Sequence, residues 1–138
     1  MTTSAYGQTS GTDSRESRPM MDRLLVFDLE SELARLTSEP QWADGDRNSV
    51  MLAKEIDFRV LLSVLRAGAT IDEQDGDARV SVHVLKGRAG VRVDGGGEAE
   101  LGAGQLATID VGRAWFLTAS EESAVLLTFA WPREKAGV

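Results

Sequence analysis

The sequence contains no cysteine, so it has no disulfide framework, no thiolate nucleophile and no cysteine-based metal site. Thiol redox chemistry is excluded, and a reducing, cytoplasmic compartment suits such a chain. There is one histidine, His83, the only side chain that naturally titrates near neutral pH. Positive charge is scarce: 15 Lys and Arg face 22 Asp and Glu, for a net charge of −7. Nucleic-acid affinity rests on clustered basic residues that neutralise phosphates, so DNA and RNA are not expected partners. No apolar run reaches membrane-spanning length or forms a signal-peptide core, and no membrane association is expected.

What remains is 138 residues with 42% hydrophobic content, enough for one core and one domain. Residues 1–20, MTTSAYGQTSGTDSRESRPM, are rich in Ser, Thr and Gly and read as a disordered tail, with Met20 or Met21 a candidate start of the folded unit. Residues 21–55 read as an N-terminal strand, helix and strand packed on the main domain. Leu24 to Phe27 is the strand, Asp28 an N-cap, and Leu29, Leu33 and Leu36 a helical stripe. Trp42 falls in a polar turn cluster. From residue 56 to 132 the pattern is all β. TIDEQDGDA reads as a loop, and short strands ARVSVHVL, RAGVRV, EAEL, QLATI, WFLTAS and SAVLLTFAW are separated by glycine turns. Residues 133–138 form a polar tail. This arrangement predicts a β-sandwich or barrel with a short N-terminal helix.

The glycines carry a more specific signal. Gly68, five residues, Gln74, Asp75, Gly76, three residues, Val80, six residues and Gly87 form one spacing; Gly104, five residues, Asp110, Val111, Gly112, two residues, Trp115, three residues and Ala119 form another. Over residues 56–131 the chain resembles a small single-domain cupin, whose two motifs have this spacing. The resemblance implies a double-sheet jelly-roll barrel. In metal-binding members it also implies a first-row transition metal held by two His, a Glu and a third His. Here Gln74, Gly76, Val80 and Trp115 stand at those positions. Val80, Gly76 and Trp115 offer no suitable lone pair, and Gln74 alone cannot hold an ion, so neither metal nor other cofactor is expected.

Strand parity then places Val80, Val82 and Val84 on one face with Trp115, Leu117 and Ala119, all directed into the barrel. The expected cavity lining is Gln74, Val80, Val82, Trp115 and Leu117, suited to a small apolar or aromatic ligand or simply plugged by the indole. His83 has the opposite parity and reads as a surface or interface residue. The acidic run Asp72, Glu73, Asp75, Asp77 lacks calcium-loop spacing and reads as solvated. Glu98 with Glu100 and Glu121 with Glu122 resemble an acid/base pair only in composition. No catalytic residue is assigned. The expectation is a non-catalytic, metal-free binding or regulatory module. The alternatives are a metal-independent epimerase- or isomerase-like cupin, or a structural interaction domain. RVLLSVL and SAVLLTFA are apolar on both faces, so Leu61, Leu65, Leu127 and Phe129 are expected to need cover from a second copy in a homodimer, or else from the helix.

Overall fold

The computed structural model describes residues 24–73 and 76–132; the expected tails 1–20 and 133–138 and the candidate Gln74 lie outside them. Helix α1, Leu29–Leu36, starts where Asp28 accepts a hydrogen bond from the Ser31 backbone N–H at 3.3 Å. Glu30 and Glu32 in its first turn and Arg35 in its last complement the helix dipole. It ends at Thr37, whose hydroxyl donates to the Leu33 carbonyl at 3.1 Å. A second helix, α2 (Pro40–Asp44), replaces the turn expected around Trp42. Pro40 occupies its first turn, where a missing N–H costs nothing, and five residues are too few to show a helical period. The strand expected at Leu24 to Phe27 is also absent. Among the described residues that segment joins neither sheet, and Leu24 and Val26 are 77% and 74% exposed.

Among the described residues nine strands follow: β1 Arg47–Lys54, β2 Phe58–Leu65, β3 Thr70–Glu73, β4 Arg79–Lys86, β5 Arg88–Val93, β6 Gly97–Gly102, β7 Leu106–Ile109, β8 Trp115–Ala119 and β9 Ser123–Ala130. They form two antiparallel sheets, β1-β2-β9-β4-β7 and β3-β8-β5-β6. Strand β3 lies in the segment expected to be a loop. Its charged residues hid a four-residue edge strand held by pairing with β8. Gly68, Gly87, Gly104 and Gly112 adopt φ of 89°, 84°, 88° and 87°, so the spacing that suggested the fold marks left-handed turns.

Two cores share the five-stranded sheet. Between the sheets lie Leu65, Val80, Val82, Val84, Val91, Trp115, Leu117, Val125 and Leu127. On the outer face, Val50, Leu52, Leu62, Val64 and Ala124 pack under Leu33 and Leu36 of α1 and Trp42 of α2. Asn48 ties this cover down by donating to the Leu36 carbonyl and the Glu39 carboxylate, both at 2.9 Å. The helices therefore cover this part of the outer face. Leu61, Leu65, Leu127 and Phe129, expected to face a partner, point instead toward the inter-sheet core. Alternation along β2 and β9 assigns the outer face to their neighbours, which the helices cover. Among the described residues no helix is long and apolar enough to cross a membrane.

Candidate functional site

Val80, Val82, Trp115 and Leu117 are buried at 3%, 0%, 1% and 0% exposure, and all four face the space between the sheets. The parity read from the sequence is therefore the parity of the fold. Trp115 is the largest fully buried side chain among the described residues. Its ring lies 6.5 Å from Phe129, tilted by 36°, and Phe129 stacks on Trp131 at 6.0 Å. Phe129, Trp131 and Val93 are only partly buried, so one end of the core is only half covered.

Register adds two charged residues that the sequence reading missed. Arg59 and Val80 both pair with Phe129 on β9, one on each side, so Arg59 belongs to this inward row. Its guanidinium carbon sits 4.8 Å over the Trp131 ring. Glu73 and Val93 both pair with Trp115, which puts the half-buried Glu73 on the inner face of the other sheet. Period-2 counting back from Leu61 and Leu65 would have found Arg59. Glu73 lay hidden in the acidic segment read as a loop.

Among the described residues, two buried donors at this end have no acceptor: the Trp115 Nε1–H and the Arg59 Nε–H. A buried N–H without a partner costs about 1–3 kcal/mol, and most native structures avoid it. Both stand beside the shelf formed by the rings of Trp115, Phe129 and Trp131.

The metal site that the cupin resemblance implies does not fit these residues. Val80 and Trp115 present hydrocarbon and an indole N–H, neither of which can ligate. Among the described residues no group of three His, Asp or Glu side chains is placed to hold an ion.

Another concave surface lies outside the core. A cavity of about 640 Å³ lies on the outer face of the four-stranded sheet, above Gly90 and among Thr70, Asp72, Arg92, Glu100 and Phe116. There Arg92 lies 4.2 Å over Phe116, and Glu100 accepts a hydrogen bond from the Ser120 hydroxyl at 2.7 Å. Glu98 and Glu100 thus both line this open cavity, exposed on the outer face of the sheet. His83 faces outward between Leu106 and Leu126. Asp110 accepts from the Val111 backbone N–H, which, with Arg79 nearby, holds its carboxyl below the usual range. It stays ionised at neutral pH and is no general acid.

No family model matches the chain, and no curated protein does. Solved structures do match. A conserved protein of unknown function from Streptococcus pyogenes is 20% identical, over 88% of this chain and all of its own, with a TM-score of 0.62. An ectoine synthase from P. lautus is 18% identical over 80% of each chain, with a TM-score of 0.58. The cupin domain of an XRE-family transcriptional regulator from Enterobacter cloacae is 16% identical, over 64% of this chain and 99% of that domain, with a TM-score of 0.56. Cupin proteins recur among the remaining matches. At such identities the shared property is the fold, and that fold serves both an enzyme and a regulator's domain.

Proposed function

We propose that this chain, which shares the fold of the cupin superfamily, is a metal-free, non-catalytic binding or regulatory module. On this reading its two sheets form a jelly-roll barrel, and a small ligand with an apolar or aromatic body binds at the half-covered end beside Trp115. The observation that carries the reading is the burial of Trp115 at 1% exposure, beside Phe129 and among apolar neighbours, where metal-binding cupins place a histidine. Hydrophobic volume and an indole N–H replace Lewis-acid chemistry. A cytoplasmic location belongs to the same reading and rests on the absence of cysteine.

The expected result is substoichiometric metal in protein purified from manganese-, iron-, nickel- and zinc-supplemented medium, with no saturable rise in melting temperature when those ions are added. Elemental analysis checks it, and one bound ion per chain would overturn the reading.

A second reading, a metal-independent epimerase- or isomerase-like enzyme, is favoured by the inward row position of Glu73, a carboxylate able to act as a base. It predicts that Glu73→Gln abolishes any turnover found while the variant still binds ligand, since the amide cannot take up the proton. Ligand binding with no solvent-proton exchange at the bound compound in the parent protein would dismiss it. A homodimer remains part of the proposal. The apolar residues it would cover are the exposed Leu24 and Val26, not those turned into the core.

A further inference from the structure

We infer that the half-covered end of the inter-sheet core is a site for a monocarboxylate carried on a flat apolar body, with the carboxylate held by Arg59 and Trp115. The inference rests on the proposed binding function and names its ligand class. The two N–H groups without acceptors call for a ligand that brings lone pairs. A carbonyl would serve the indole alone. The planar guanidinium fork of Arg59 matches a carboxylate better than a neutral acceptor.

The rest of the ligand is specified by what surrounds the donors. Phe129 is the cross-strand partner of Arg59, lies 6.5 Å from Trp115 and stacks at 6.0 Å on Trp131, itself under the Arg59 guanidinium at 4.8 Å. The three rings make an apolar shelf flanked by both donors, a lining that favours a planar hydrocarbon body. Glu73, opposite Trp115 on the inner face, sets the charge. A second negative group on the ligand would raise the negative charges there, with Glu73, from two to three against one Arg59, so a monoanion is favoured over a dianion. Enclosure between the sheets makes the discrimination larger than it would be on a solvated surface.

The test uses the full chain, with benzoate as probe and benzamide, phthalate and benzylamine as neutral, dianionic and cationic comparisons. The readout is the indole N–H resonance of Trp115, identified by its loss in Trp115→Phe. Benzoate should move that resonance downfield saturably, with benzamide and phthalate at least about tenfold weaker and benzylamine inactive. Arg59→Met should bring benzoate down to the level of benzamide. If that variant does not fold, Arg59→Lys, which keeps the charge but loses the Nε–H and the fork, should still weaken benzoate several-fold. No response to benzoate up to about 10 mM, with benzamide or another neutral aromatic binding, overturns the carboxylate assignment and leaves the binding function standing. Silence from aromatic probes of every charge overturns both. An undiminished preference for benzoate in the Arg59 variants overturns the role given to Arg59.

Discussion

Trp115→Ala should lose about 3–5 kcal/mol of folding stability, the cost of deleting a large buried aromatic from a core that cannot fully collapse. The indole is 1% exposed, and its neighbours Val80, Val82 and Leu117 are themselves no more than 3% exposed. They sit on two hydrogen-bonded sheets whose spacing is fixed by backbone pairing, so the void cannot close by a local shift. Trp115→Phe separates volume from polarity. It keeps most of the ring and removes the unsatisfied Nε1–H, so its loss should be well below that of alanine. Urea unfolding followed by circular dichroism measures both. An alanine variant within about 0.5 kcal/mol of the parent would show that Trp115 does not fill the core.

Gly87→Val is the second large effect, about 3 kcal/mol or more, because two separate costs fall on one turn. The backbone there has φ of 84°, a region costly for a β-branched residue. A Cβ would also collide with the Glu122 carbonyl and come within 2.5 Å of the Ser123 hydroxyl. That hydroxyl is buried and accepts from the Arg88 backbone N–H at 3.1 Å, joining the β4–β5 turn to the start of β9. Gly104→Ala is the control. Its φ is 88° but nothing lies within 4 Å of an added Cβ, so only the backbone cost of about 1–2 kcal/mol applies. Equal losses at the two positions would show that the close approach at Gly87 has no energetic weight.

Much of this architecture could be read from the chain because the signals were local. Glycines with positive φ punctuate the strands, so β4, β5, β8 and β9 follow from spacing, and the inward sides of β4 and β8 from parity. The same logic placed Trp115 among Val80, Val82 and Leu117. It failed where an element was too short or too charged to show a period: α2 behind Pro40, and β3 with Asp72 and Glu73. It also failed at Leu24 to Phe27, where an apolar run joins neither sheet among the described residues. Arg59 was missed for another reason. A charged residue beside an apolar run is usually a solvated end, and only its pairing with Phe129 reveals an inward position. Outer and inner faces of β2 and β9 are both apolar, so composition could not say which face met the helices.

The strand order carries a consequence for synthesis. In the five-stranded sheet β9 lies between β2 and β4, which do not touch one another's edges. Until β9 emerges from the ribosome, the β1-β2 hairpin and the β4-β7 pair have no means of joining. Both would meanwhile expose unpaired edges and apolar faces to the crowded surroundings of a nascent chain. Cooperative closure must therefore wait for the last strand in chain order. That strand inserts at the sheet's centre, and the long sequence separation of β2 from β9 makes closure slow. Residence on a chaperone during this interval is the expected companion of such a topology.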